Sequence, residues 1–149
     1  SASRRWVADW WRMHLPDAPP PVLENGSGLS RRERISADSL SALLAQTAAS
    51  PVGAAFVQSL PLVGYQGTVA KLAQRDPSNR AIGQARIKTG TLDDVKALAG
   101  FVRGQSGQVY SVVAIINASR AAAGQEALDA LLDWVVADGT AVTPVGLAP

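Results

Sequence analysis

Six consecutive residues, Arg86-Ile87-Lys88-Thr89-Gly90-Thr91, bring an ammonium group, two hydroxyls and a glycine to the end of a predicted strand. An ammonium makes charge-assisted hydrogen bonds to a carboxylate, and a strand edge offers its backbone to an extended ligand. The glycine lets that ligand come close to the main chain. The set reads as a recognition edge for a carboxylate-bearing molecule. The tripeptide Lys88-Thr89-Gly90 is a weak mark by itself, since average residue usage produces it in roughly a few per cent of chains this long.

Few other residues offer chemistry. Asn25-Gly26-Ser27-Gly28 is the densest turn signal in the chain, and Arg31 follows it closely. Two glycines there allow a backbone path through positive φ. Arg31, Arg32 and Arg34 are interrupted by Glu33 and carry no interleaved aromatic residues for stacking bases, so Arg32 and Arg34 read as a solvated loop. His14, the only histidine, has no companion ligands and reads as a helix-surface residue, so no metal site is expected. Asp93-Asp94 reads as a turn whose neighbouring side chains point apart. With no cysteine present, disulfides, thiol catalysis and cysteine metal sites are excluded.

The elements that must position these residues follow from periodicity. Trp6, Val7, Trp10, Trp11 and His14 recur at helical spacing, predicting a first helix over about residues 4–14 with the tryptophans as a packing face. Pro16 and Pro19-Pro20-Pro21 stop it. A short strand is expected at Val22-Leu23-Glu24. Ser36 caps a second helix that carries Leu40, Leu43 and Leu44 and ends near Ser50-Pro51. A third short helix is expected over 52–60, then a turn at 64–68 leading into a helical piece with Lys71 and Leu72. From Gly83 the period becomes two, giving strands at 84–90, 97–103 and 108–117 joined as an antiparallel meander. The third strand is apolar on both faces and reads as central. Leu128, Leu131, Leu132, Val135 and Val136 form the stripe of a last helix, with Glu126, Asp129, Asp133 and Asp138 mostly off it and Gly139 as its closing C′ residue. The class is α+β.

Composition bounds the rest. A chain of 149 residues with 47% hydrophobic and 17% charged residues is one domain's worth and can bury a core. Fourteen basic against twelve acidic residues leave +2, too small a surplus to neutralise many phosphates, so no nucleic-acid partner is expected. No apolar run approaches the ~20 residues of a membrane span. Ser1-Ala2-Ser3-Arg4-Arg5-Trp6 has no apolar stretch after its basic pair, so it is not read as a signal peptide.

Four segments taken in order carry more than any one. Glu24-Asn25-Gly26-Ser27-Gly28-Leu29-Ser30-Arg31, Ser59-Leu60-Pro61-Leu62-Val63-Gly64-Tyr65-Gln66-Gly67-Thr68, Lys88-Thr89-Gly90-Thr91-Leu92 and Ala97-Leu98-Ala99-Gly100-Phe101 resemble the C-terminal part of the DacB-type penicillin-binding proteins. These are serine D-alanyl-D-alanine carboxypeptidases and endopeptidases of peptidoglycan. The resemblance runs from about residue 22 to 117. It implies part of a penicillin-binding-protein/β-lactamase-like transpeptidase fold, with a helical portion over about 1–82, sheet and terminal helix over about 83–140 and a tail at 141–149.

Roles follow by the same resemblance. Lys88 would hydrogen-bond toward the serine of the family's second motif and hold a positive field over the nucleophile. The hydroxyls of Thr89 and Thr91, with Gly90 admitting the peptide, would bind the terminal carboxylate of a D-Ala-D-Ala stem or of a β-lactam. The Thr91 N–H would be one of two oxyanion-hole donors, a contribution of about 3 kcal/mol to the transition state. Arg31 would take the side-chain carboxylate of the stem's diamino acid, and Gly26 and Gly28 would shape its loop. No cofactor is implied, and the location implied is periplasmic.

The departures are as informative. The family's Ser-x-x-Lys and Ser-x-Asn motifs do not occur: Lys71, Lys88 and Lys96 follow Thr68, Ala85 and Asp93 at three positions, and Asn25, Asn79 and Asn117 follow Leu23, Pro77 and Ile115 at two. Nucleophile and base are therefore expected in an N-terminal part of the same protein, and this chain alone is expected to be inactive. Glu24 and Gln66 stand where the family often has aspartate. The strand at 108–117 would pair in the family with an N-terminal strand, so an open edge and self-association are expected. Two other readings are a non-catalytic module that binds peptidoglycan stems and a β-lactamase-like hydrolase fragment, whose Lys-Thr-Gly strand fits better than its loop.

Overall fold

The computed structural model describes residues 1–139. The tail at 141–149 lies outside the described residues. The chain folds as an α+β unit in which three antiparallel strands, β1 (Ala85–Leu92), β2 (Val95–Arg103) and β3 (Val109–Asn117), lie in that order. Helices α2 (Ala37–Ala48) and α3 (Gly53–Ser59) cover one face and α5 (Gln125–Val136) the other; α1 (Ala2–His14) and the short α4 (Leu72–Arg75) complete the set.

The strands extend farther into the first turn than periodicity suggests. Leu92 pairs with Val95, so Asp93-Asp94 alone make the turn. Gly90, which reads as the end of its strand, instead sits inside the ladder opposite Ala97. β3 is not central: β2 is, and β3 closes the row with both faces covered. Cover on two faces, not position in the sheet, explains why it is apolar on both. The strand expected at residues 22–24 is a single bridge, Val22 to Arg34, with hydrogen bonds of 2.8 and 3.0 Å.

Alternation along the sheet sorts the core. Val63, Ile87, Leu98, Val102, Leu128 and Val135 meet between the sheet and α5. Leu44, Ala48 and Phe101 meet under α2 and α3, where Phe56 packs edge-to-face on Phe101 at 6.4 Å between ring centroids. Ser36 caps α2 by accepting the Ser39 N–H at 3.0 Å, and the Ser39 hydroxyl donates to the Pro19 carbonyl at 2.8 Å, tying the proline segment to the helix start. In α1 Trp11 is buried, its indole N–H donating to the Ala18 carbonyl at 2.7 Å, and half-buried Trp10 packs edge-on against it at 6.5 Å between ring centroids; Trp6 is exposed and falls outside the expected tryptophan face.

Two acidic residues of the last helix depart from expectation. Asp129 is buried, because the Arg75 guanidinium meets both its oxygens at 2.8 and 2.9 Å. Asp138, not Gly139, takes the left-handed conformation beyond the helix, at φ 55°. Its carboxylate accepts from the Ser106 N–H and hydroxyl, both at 2.7 Å, and from the Tyr110 hydroxyl at 2.9 Å, offsetting the backbone strain. Those bonds hold the Asp138 carboxyl below the usual carboxylate range and push the Tyr110 phenol up.

The edge of β1 is the feature that positions the site. Ile87 N–H donates to the Pro61 carbonyl and Val63 N–H to the Ala85 carbonyl, both at 2.9 Å, so residues 61–63 cover the first half of that edge. Ile87 itself is fully buried. Ile87→Ala should therefore lower the unfolding free energy by about 2–5 kcal/mol and Ile87→Val by about 0.5–1.5 kcal/mol in urea denaturation. Equal effects of the two substitutions would show that this side chain is not packed in the core.

Candidate active site

Backbone direction alternates along a strand paired on both sides. Because the Ile87 N–H points outward to Pro61, the N–H groups of Thr89 and Thr91 point outward too, beyond the covered part of the edge. Those of Lys88 and Gly90 turn inward to β2. Side chains alternate as well: Thr89 and Thr91 share the α5 face with Ile87, while Lys88 lies on the opposite face, over α2.

The pleat thus divides the six-residue motif between two concavities. On the α2 side, Lys88, Gly90, Leu92 and Arg31 line a groove of about 710 Å³. On the α5 side, Thr89 and Thr91 open on a recess of about 220 Å³. The Lys88 ammonium donates to the Thr89 carbonyl at 2.8 Å and so lies along its own strand. The Thr89 hydroxyl is within 2.7 Å of the Thr68 hydroxyl. Thr68 belongs to the 3₁₀ turn Gly67–Lys71, whose entry is held by the Gln66 side-chain carbonyl accepting the Leu62 N–H at 2.9 Å.

The Gly-Ser-Gly loop is organised by a carboxylate within it. One Glu33 oxygen accepts the N–H groups of Glu24, Asn25 and Gly26 at 3.2, 3.2 and 2.9 Å. Successive N–H groups converging on one anion form a nest, and they hold the Glu33 carboxyl below its usual range, the Gly26 bond contributing most. Gly26 and Gly28 have φ of 71° and 75°, the conformation that the turn signal implied. Arg34 donates to the carbonyls of Arg31 and Glu33 at 2.7 and 2.8 Å, so it braces the loop, whereas Arg32 is largely exposed and pairs with Glu24 at 3.0 Å.

Arg31 reaches the β1–β2 turn, donating to Asp94 at 2.6 Å and to Asp93 at 3.3 Å. The two aspartates therefore converge on one guanidinium, contrary to the expectation that they point apart. Two separate nitrogens of the planar fork each meet one carboxylate. The contact holds Asp94 below the ordinary range and raises Arg31. His14 sits at the exposed end of α1, its ring stacked on Trp10. Among the described residues no group of three His, Cys, Asp or Glu side chains could hold a metal ion, and no helix is long and apolar enough to cross a membrane.

Two residues of this region escaped the sequence reading, Thr68 and Lys96. A two-residue turn at Asp93-Asp94 would have paired Thr91 with Lys96 directly, as the register does. Nothing in the sequence placed Thr68 beside Thr89.

The loop carries a pH signature. The Glu33 carboxyl is depressed in the fold, so its contribution is complete above the unfolded carboxyl range and is lost as pH falls through the folded value. Hydrogen exchange at the Gly26 amide should stay slow well into acid and then accelerate, and Glu33→Gln should speed it at neutral pH. Exchange indifferent to both changes would remove Glu33 as the organiser of the loop.

A model of the D-Ala-D-Ala carboxypeptidase 3 (S13) family matches residues 17–137. A D-alanyl-D-alanine carboxypeptidase of Actinomadura sp. is 38% identical over 95 residues, covering 62% of this chain and 18% of that protein. Carboxypeptidase DacB of Mycolicibacterium smegmatis is 35% identical over 118 residues, 77% of this chain and 25% of the relative. The crystal structure of Haemophilus influenzae penicillin binding protein 4 (dacB), complexed with a β-lactam, superposes with a TM-score of 0.64 at 25% identity, over 74% of this chain and 25% of that one. The chain spans a quarter or less of the length of these relatives.

Proposed function

The chain belongs to the D-Ala-D-Ala carboxypeptidase 3 (S13) family, and from that premise we propose that it is the C-terminal, substrate-recognising portion of a serine D-alanyl-D-alanine carboxypeptidase/endopeptidase of peptidoglycan. The observation that carries the reading is the uncovered half of the β1 edge, where Thr89 and Thr91 turn their N–H groups outward beside Lys88 and Arg31. An extended D-Ala-D-Ala stem adds to such an edge through backbone hydrogen bonds, as a β-lactam mimic does. The nucleophile and its lysine come from another part of the longer protein, since no Ser-x-x-Lys or Ser-x-Asn occurs in this chain.

Within that reading each group has one task. The Thr91 N–H faces the developing oxyanion of the scissile carbonyl, worth about 3 kcal/mol to the transition state. Lys88 sets a positive field over the groove and meets the serine of the second motif. Thr89 and Thr91 hydroxyls, with Gly90 leaving the strand accessible, hold the terminal carboxylate. Arg31 takes the side-chain carboxylate of the stem's diamino acid, for which Asp93 and Asp94 are the resident stand-ins. Both pairs are more than half exposed and are readily exchanged for a ligand. The site of action is the periplasm, where the stems are.

Labelled penicillin should leave this chain unacylated while acylating a longer protein that contains it; stoichiometric labelling of the 149 residues would contradict the division of roles. A D-Ala-D-Ala peptide should bind saturably, and Lys88→Ala should abolish that binding in calorimetry. No binding at millimolar peptide would count against the reading.

The outer edge of β3 has no strand partner among the described residues. In the longer protein a strand from the N-terminal part takes that edge, and without it the 149-residue chain self-associates. Light scattering from micromolar to millimolar concentration should show a mass above the monomer. A clean monomer throughout would refute this assignment of the edge.

A further inference from the structure

One peptide unit of the Gly-Ser-Gly loop brings a nucleophile and an electrophile of the same chain together. Asn25 is followed by Gly26, and both are exposed. Glycine leaves its backbone nitrogen unshielded by any side chain. The Asn25 side-chain carbonyl accepts the Ser27 N–H at 2.9 Å, a turn that folds the side-chain amide back over the Gly26 peptide and polarises its Cγ. Nitrogen and carbon are thereby kept as near neighbours, which replaces a bimolecular encounter.

What restrains the nitrogen is Glu33. Its Oε1 accepts the Gly26 N–H at 2.9 Å, the shortest of the three bonds of the nest. An anion there opposes loss of the proton, because the deprotonated amide would face a second negative charge. The nest also holds the Glu33 carboxyl below its usual range, so it is a poor acceptor of that proton.

We propose that Asn25-Gly26 is a self-modification site, at which the chain converts its own asparagine into aspartate and isoaspartate, with Glu33 as the positioning residue that sets the pace. Hydroxide removes the Gly26 amide proton and the nitrogen attacks Asn25 Cγ. The N–Cγ bond forms, the Cγ–Nδ2 bond breaks, and Nδ2 takes a proton from water and leaves as ammonia. Water then opens the cyclic imide: cleavage of the Cγ–N bond gives aspartate, and cleavage of the backbone C–N bond gives isoaspartate. Asn79 is the internal contrast. Its carbonyl likewise accepts from Ala81 N–H at 3.0 Å, and the following Arg80 N–H likewise meets a carboxylate, Asp133, at 2.8 Å. Asn79 is buried, however, its Nδ2 donates to the Asp129 carbonyl at 3.1 Å, and the next residue carries a side chain.

Aspartate at position 25 sets a new carboxylate beside Glu33, and isoaspartate adds a carbon to the main chain between two N–H groups of the nest. Either product opens the nest and loosens the loop that carries Arg31 to Asp94. The conversion is independent of the peptide-binding reading.

The test is peptide mapping by mass spectrometry of the 149-residue chain held for days at slightly alkaline pH, as folded wild type, as folded Glu33→Gln and as wild type unfolded in guanidinium chloride. In the folded proteins Asn25 should gain the mass that exchanges NH for O, with isoaspartate among the products, and Asn79 should stay intact. Folded wild type should convert more slowly than the unfolded chain by roughly tenfold, the scale of one charge-assisted hydrogen bond, and Glu33→Gln should recover most of that factor. Base-catalysed exchange of the Gly26 amide needs the same deprotonation and should quicken in parallel, while the Ile87 amide, bonded to Pro61, stays protected and marks the variant as folded. Converted wild type should show shifted amides at Asp93 and Asp94. A folded chain that converts as fast as the unfolded one, a rate indifferent to Glu33→Gln, or an Asn25 that stays intact in both folded proteins would each overturn the site. D-Ala-D-Ala binding by the unconverted chain is a separate measurement, whose absence sinks the peptide reading and leaves the conversion standing.

Discussion

Everything at the candidate site depends on where the backbone pairing of β1 stops. Two hydrogen bonds of 2.9 Å join Ala85 and Ile87 to residues 61–63, and the coverage ends there. Had it continued, the outward N–H groups of Thr89 and Thr91 would be spent within the fold. Because it ends, an edge of proper polarity is left open beside a buried anchor, Ile87, whose packing under α5 keeps the strand straight and in register. An edge of this kind invites unwanted pairing unless something guards it. Lys88 and the charged turn that follows serve as that guard, and the same charges suit an anionic peptide.

The second constraint is the pleat. With side chains alternating between faces, six consecutive residues cannot all converge on one cavity. Lys88 joins Arg31 on the α2 side, and the threonine hydroxyls join Thr68 and Lys96 on the α5 side. An extended peptide lying along the edge would touch both sides at once. The loop at residues 24–34 is built for the first side. Its own anion, Glu33, fills the backbone nest, and its Arg31 reaches across to Asp93 and Asp94. Acidic groups from within the chain thus occupy the positions where the loop could meet a ligand.

Much of this was legible in the residues. The change of period at Gly83 marked the sheet, Ser36 marked the start of α2, and the paired glycines marked the loop; each is a local signal with a local cause. What escaped was decided by tertiary contacts. Asp138 in place of Gly139 at the helix end needed Ser106 and Tyr110 from another turn, and the burial of Asp129 needed Arg75 from 54 residues away. Arg31 meeting both aspartates spans 63 residues, and Thr68 meeting Thr89 spans 21, distances at which sequence pattern is silent. At Gly90 the strand reads as ending, because glycine usually punctuates a strand, yet the ladder continues through it opposite Ala97 to Leu92.

Amide hydrogen exchange along β1 tests the open edge most directly. The account predicts alternation: slow exchange at Ile87, bonded to Pro61, and at Lys88 and Gly90, turned toward β2, with fast exchange at Thr89 and Thr91 that slows when a D-Ala-D-Ala peptide is added. Equal protection at Thr91 and Gly90 in the free chain would mean that the edge is already paired and that no peptide strand can be added there.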